Sequence, residues 1–125
     1  MLLAEDHVDT REMYAEALNS AGFGTVEATN AENALARAAT IRLAAVITDL
    51  RLGHGADGLE LCEKLREDPT TKDIPVIVVT GWIADKKMRA RADAAKCAAV
   101  LLKPVSPDVL VTVVLKVLQS QPTNG

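Results

Sequence analysis

The chain has 125 residues, 49% of them hydrophobic, and carries a net charge of −3 from 14 basic and 17 acidic side chains. That length supports one domain around one sizeable core, and the near-balanced charge excludes the strongly basic surface of a nucleic-acid or anionic-membrane binder. No apolar run approaches the roughly 18 residues of a membrane span, and the N-terminus lacks a basic-then-apolar leader, so a cytoplasmic protein is expected.

The first apolar run, "LLA" at 2–4, leads straight into the acids Glu5 and Asp6. "DTREMYAEALNSAG" follows with helical period, and the reading puts its N-cap at Asp9 and its stop at Gly22. "TVEA" at 25–28 is the second strand, and Asn30 caps the helix "NAENALARAAT". The third strand, "AAVIT" at 44–48, ends abruptly on Asp49 and a glycine-rich loop, "LGHGADG", before the helix "GLELCEKLRED". "PVIVVT" at 75–80 ends on Thr80, with the single tryptophan, Trp82, two positions on. The helix "ADKKMRARADAAKCA" carries Lys86, Lys87, Arg89, Arg91 and Lys96 against Asp85 and Asp93, which reads as a solvated face. "AAVLLK" at 98–103 ends on Lys103 and Pro104, and Ser106 caps the last helix, "SPDVLVTVVLKVLQS". The domain is expected to occupy residues 1–119, with 120–125 as a flexible tail.

Strands of continuous rather than alternating hydrophobicity, each followed by a helix, predict an α/β fold: a five-stranded parallel sheet with helices on both faces. For five such units the common doubly wound, flavodoxin-like order is 2-1-3-4-5, and ligands bind beyond the C-terminal strand ends where strands 1 and 3 meet. Glu5, Asp6, Asp49, Thr80 and Lys103 then share one rim.

Three carboxylates in one crevice repel one another unless something positive joins them. A hard cation such as Mg2+, with oxygen ligands that include one or two carboxylates, answers that, and with Lys103 it brings the charge of Glu5, Asp6 and Asp49 to about zero. An aspartate at such a site can attack phosphorus to give an aspartyl-phosphate, a reaction that needs positioning and charge stabilisation more than a base. Asp49 is the expected nucleophile, Lys103 a stabilising cation, and Thr80 a hydroxyl donor to a phosphoryl oxygen.

Taken together, "LLAEDH", "VITDLRLGHGADGLEL", "IPVIVVTGW" and "VLLKP" resemble the receiver domain of two-component response regulators, over essentially residues 1–119. The resemblance implies that Asp49 is the phosphoacceptor and that Glu5, Asp6 and Asp49 hold Mg2+ together with the backbone carbonyl of Arg51. It also implies that Thr80 and Lys103 contact the phosphoryl group, and that Lys103–Pro104 is a cis peptide. The implied partner is a histidine kinase or a histidine phosphotransfer protein, and the implied output face is formed by the fourth helix, fifth strand and fifth helix. The chemistry is phosphotransfer and self-hydrolysis rather than turnover of a metabolite. The chain departs from the family in its phosphoacceptor loop and ahead of its lysine. Its phosphoacceptor loop has glycines and His54 where a proline is usual near Gly53. Val100 stands where an aromatic residue is common three positions before the lysine. Trp82, two positions after Thr80 where family members vary, either packs against the fourth helix or, with Arg51, overhangs the site and slows hydrolysis.

The alternatives fare worse. A flavodoxin-like cofactor binder needs a phosphate-cradling loop after strand 1, where "EDHVD" is acidic. A phosphatase of the haloacid dehalogenase type needs a second aspartate two residues after the nucleophile, and Arg51 stands there. A receiver that only binds would not be expected to keep Asp6, Asp49, Thr80 and Lys103.

Two further expectations follow from the residues. Cys62 and Cys97 belong to no CxxC or His/Cys cluster and read as reduced thiols. In the last helix only Asp108, Thr112, Lys116 and Gln119 break an apolar surface, as one narrow stripe. The surplus around Val109, Val113 and Val117 or their neighbours therefore predicts a homodimer through that helix.

Overall fold

A computed structural model describes residues 1–52, 57–81 and 86–120. The strands are β1 (Leu2–Ala4), β2 (Val26–Ala28), β3 (Val46–Asp49), β4 (Val76–Thr80) and β5 (Ala99–Leu102). They alternate with α1 (Val8–Ser20), α2 (Ala31–Thr40), α3 (Gly58–Glu67), α4 (Lys86–Ala94) and α5 (Pro107–Gln119). All strand pairs are parallel, in the order β2-β1-β3-β4-β5 that the sequence predicted. Register sets Ala4 beside Thr48, Asp49 beside Val79 and Thr80 beside Leu102, so the C-terminal ends of β1, β3, β4 and β5 finish along one edge.

Successive strand residues point to opposite faces, and so feed two separate half-cores. Leu2, Ala4, Val46, Val76 and Val78 pack with α2, α3 and Ala92 of α4. Leu3, Ile47, Ile77 and Val79 pack with Tyr14 and Leu18 of α1 and with Leu110, Val114 and Val117 of α5. Burial on both faces explains why the strands read as unbroken apolar runs.

Most helix ends follow their sequence signals. Asn30 accepts from the Asn33 N–H at 2.8 Å, Ser106 accepts from the Val109 N–H at 3.2 Å, and Gly22 ends the α1 segment with a φ of 95°. Asp9 is a correction. The connection from β1 is so short that the chain enters α1 at Val8, with His7 at the N-cap and no side-chain cap bond, and Asp9 falls inside the first turn. Its carboxylate there faces the positive end of the helix dipole. Asp57, which the sequence reading passed over, caps α3 by accepting from the Glu60 N–H at 2.8 Å.

The stripe of Asp108, Thr112, Lys116 and Gln119 on α5 is exposed. The apolar surplus lies at Val109 (51% exposed) and Leu115 (44%), with Leu102 of β5 also open (52%). Val113 is half-buried, whereas Val117 belongs to the core, one turn beyond Val114 on the sheet-facing side.

α4 is attached differently from the other helices. Ala92 is its one buried residue, and Arg91 reaches back to α3, with Nη2 2.8 Å from Glu63 Oε1 and Nη1 3.4 Å from Asp57 Oδ2. Just past its end, Lys96 takes a φ of 57°, and Arg66 of α3 donates to the carbonyls of Ala95 (3.0 Å), Lys96 (3.3 Å), Lys72 (2.9 Å) and Ile74 (2.8 Å). None of the helices among the described residues is long and apolar enough to cross a membrane.

Candidate functional site

The rim where the strands end carries the polar groups, because a buried strand can place a charge only at its tip. Glu5 and Asp6 follow β1, Asp49 ends β3, Thr80 ends β4 and Lys103 follows β5. Glu5 is buried, Asp6 exposed, Asp49 and Lys103 half-buried, and Thr80 buried. One carboxylate oxygen from each of Glu5, Asp6 and Asp49 lies within 4.8 Å of the others.

Lys103 crosses to this cluster from the far side. Its Nζ donates to Asp49 Oδ2 at 2.7 Å and lies 4.0 Å from Glu5 Oε2. Backbone bonds fix that approach: the Lys103 N–H donates to the Thr80 carbonyl at 2.7 Å, and the Leu50 N–H donates to the Val79 carbonyl at 3.0 Å. The Lys103–Pro104 peptide is cis, as the sequence resemblance implied. Beyond it, the buried Tyr14 hydroxyl of α1 donates to the Val105 carbonyl at 2.9 Å. Arg51 is placed beside the cluster, its N–H donating to Asp49 Oδ1 at 3.2 Å.

The electrostatics follow from burial and like charge. Burial pushes the Glu5 carboxyl up to about 7, with the neighbouring Asp49 adding to the rise and Lys103 opposing it. Burial works against the Lys103 ammonium, but its hydrogen bond to Asp49 and the charges of Asp49 and Glu5 win, and its pKa is held above the ordinary value. Arg11 steadies the acidic turn from α1, with Nη1 donating to the Glu5 carbonyl at 2.9 Å and Nε pairing with Glu27 at 3.2 Å. The donor set is hard oxygen throughout and over-supplied with negative charge. It therefore fits a hard divalent cation rather than a thiophilic or imidazole-seeking one.

Gly58 and Tyr14 shape the site but were not singled out in the sequence. The Gly58 N–H donates to the Leu50 carbonyl at 2.8 Å, and its Cα sits directly against the Asp49 backbone, with no room for a side chain. Only the "DG" at the start of α3 could have hinted at it. Val100, in the place where an aromatic residue was expected, is half-buried against the α3-side core and pairs in register with Val78. Gly53, His54, Trp82 and the tail from residue 121 lie outside the described residues.

A family model described as the response regulator receiver domain matches residues 1–115. The chain is 33% identical over 120 residues to the phosphate regulon transcriptional regulatory protein PhoB of Pseudomonas aeruginosa, covering 95% of this chain and 51% of that protein. It is 32% identical over 119 residues to the response regulator receiver protein CpdR of Brucella abortus, covering 94% of this chain and 95% of that one. It thus spans about half the length of the first relative and nearly all of the second. Among solved structures, the chemotaxis response regulator CheY4 of Vibrio cholerae matches with a TM-score of 0.85 at 25% identity, over 93% of this chain and 95% of that one. A receiver domain protein from Methanospirillum hungatei matches with a TM-score of 0.90 at 24% identity, over 99% and 96% of the two chains. With an acidic rim on a sheet of this strand order and a family match running from the first residue into α5, the chain belongs to the response regulator receiver domain family.

Proposed function

We propose that this domain, taken as residues 1–119, accepts a phosphoryl group on Asp49 from a phosphohistidine of a sensor kinase or phosphotransfer protein. The observation that carries the reading is the 2.7 Å contact between Lys103 Nζ and Asp49 Oδ2, formed where three carboxylates converge. An Asp49 carboxylate oxygen attacks phosphorus, the new P–O bond forms as the P–N bond of the donor breaks, and the released imidazole takes up a proton. Lys103, already pointing at the Asp49 carboxylate, moves onto a phosphoryl oxygen as charge spreads there, and the Thr80 hydroxyl donates to another. Glu5, Asp6 and Asp49, with the Arg51 carbonyl, would hold Mg2+, and that ion supplies neutralisation of the phosphoryl oxygens when bound. Water attack on phosphorus then breaks the P–O bond to Asp49, which releases inorganic phosphate and restores the carboxylate.

Output is assigned to the face of α4, β5 and α5. The exposed Leu102 of β5, with Val109 and Leu115 on either side of the polar stripe of α5, supports association through these two elements, either with a second copy of this chain or with a neighbouring domain. The test of the phosphoacceptor is direct. Acetyl phosphate with Mg2+ should add one phosphoryl group, detected by intact mass, and Asp49→Asn should take up none. Undiminished incorporation in Asp49→Asn would overturn the assignment.

A further inference from the structure

Cys62 and Cys97 stand 35 positions apart in sequence and take no part in the strand-tip chemistry, yet the fold brings them together. Cys62 lies on α3 and is fully buried; Cys97 lies between α4 and β5 and is half-buried. Their sulfurs are 3.5 Å apart, with Cys97 Sγ donating to Cys62 Sγ, and Cys62 Sγ in turn donates to the Ala95 carbonyl at 3.4 Å. Both are free thiols. Arg66 is anchored on the carbonyls of Ala95 and Lys96 that flank the pair, and brings a fixed positive charge to it. The hydrogen bond from Cys97 holds the Cys62 thiol below its ordinary pKa despite burial, with Arg66 adding to that effect, while the same bond and burial push the Cys97 thiol up, so the two sulfurs share one proton that rests on Cys97.

We propose that Cys62 and Cys97 form a thiol–disulfide modification site whose oxidant is a hydroperoxide. The half-buried Cys97 is the point of entry, because a reagent from solvent reaches it before the fully buried Cys62. The proton that Cys97 shares with Cys62 passes to Cys62, and the Cys97 sulfur, now the thiolate, attacks the O–O bond. An S–O bond forms, the O–O bond breaks, and the departing oxygen takes a proton to leave as water or an alcohol. Cys62 then displaces hydroxide from the Cys97 sulfenic acid: an S–S bond forms, the S–O bond breaks, and a second water leaves. Two thiols lose two electrons and two protons in all, and the peroxide accepts both. The sulfurs must close from 3.5 Å to about 2.05 Å for the bond to form. The resulting bond ties α3 to the end of α4, beside the Arg66 anchor, and closes a loop that contains all of β4 and α4. This site is independent of the phosphoacceptor reading.

The experiment uses the whole chain, reduced with dithiothreitol, desalted, and exposed to a small excess of hydrogen peroxide. The expected product has no covalent link between chains, is lighter by about 2 Da, is unreactive to maleimide in denaturant, and yields a tryptic peptide joining Cys62 to Cys97. Its Tm should rise by about 10 °C, and dithiothreitol should reverse every change. Cys62→Ala should instead stop at a sulfenic acid on Cys97, trapped by dimedone. Separate sulfinic or sulfonic acids, a disulfide between two chains, or two maleimide-reactive thiols after treatment would each overturn the proposal. The wild-type readouts decide the matter even where the variant folds poorly.

Discussion

Adding a single methyl group at Gly58 should disturb both folding and phosphoryl chemistry. A Cβ built there falls closer to the Asp49 carbonyl oxygen than real Cβ contacts allow, and lies 3.1 Å from both the Asp49 carbonyl carbon and Thr48 Oγ1. Ala has the better helix propensity by up to about 1 kcal/mol, and that gain opposes the clash. The clash should dominate, because its main partner is backbone held in the β3 ladder, and overpacking of this kind costs about 1–3 kcal/mol. Either α3 retreats or the tip of β3 yields, and in the second case the Asp49 carboxylate leaves its position opposite Lys103. A displacement of about 1 Å in a reacting group can slow a step roughly a hundredfold. Gly58→Ala should therefore unfold at lower urea, with Tm down on the order of 4 °C for each kcal/mol lost, and should incorporate phosphate from acetyl phosphate far more slowly. Gly24→Ala is the control, since nothing lies within 4 Å of a Cβ there, and it should stay within about 0.5 kcal/mol of wild type. A Gly58→Ala protein with wild-type midpoint and wild-type phosphorylation rate would refute the reasoning.

Four further outcomes are expected. A divalent cation held by the native acidic cluster and not by the unfolded chain would stabilise the fold by mass action, so millimolar Mg2+ should raise Tm; no response by scanning calorimetry would count against the Glu5, Asp6 and Asp49 set. Arg91→Met should lower stability by no more than about 1 kcal/mol at pH 7, since its partners are well exposed. The Arg91 bond holds the Glu63 carboxyl below its ordinary 4.5, so this contribution is present above that value and lost as pH falls through the depressed one; urea titrations should converge in strong acid. Sedimentation at high micromolar concentration should show a dimer that Val109→Asp disperses, and a monomer throughout would dismiss self-association through α5. The phosphorylated domain should decay over minutes to hours after donor removal, and faster in Arg51→Ala, with decay within seconds in the wild type ruling out a shielding role for Arg51 and Trp82.

The fold was legible because parallel strands buried on both faces write themselves as unbroken apolar runs, and because the switch-point rule brings their polar ends to one edge. Glu5, Asp49, Thr80 and Lys103 could be grouped on that argument alone. Helix boundaries were legible where a cap residue stands clear of the connection, as Asn30 and Ser106 do. They were misread at Asp9, where the length of the preceding turn rather than the best capping side chain decides where α1 begins. Periodicity located the polar stripe of α5 but not the division of its wide apolar surface: Val117 is spent on the core, while Leu115 remains outside. Contacts that depend on how two helices seat against one sheet left no local trace. The Arg91 bridge, the Tyr14 bond to Val105 and the meeting of Cys62 with Cys97 are of that kind.

The shallow seat of α4 separates two kinds of information carried by the sequence. α3 buries Leu59, Leu61, Cys62 and Leu65, so most of its inward positions are committed to the fold. In α4 only Ala92 is so committed, and Lys86, Lys87, Arg89 and Ala90 face solvent. Substitutions at such exposed positions usually change stability by less than about 0.5 kcal/mol. The charge and shape of this helix can therefore diverge freely among descendants of one ancestor while the scaffold and the strand tips stay fixed. A change in the charge this helix presents is then reachable by single substitutions, each leaving a folded domain.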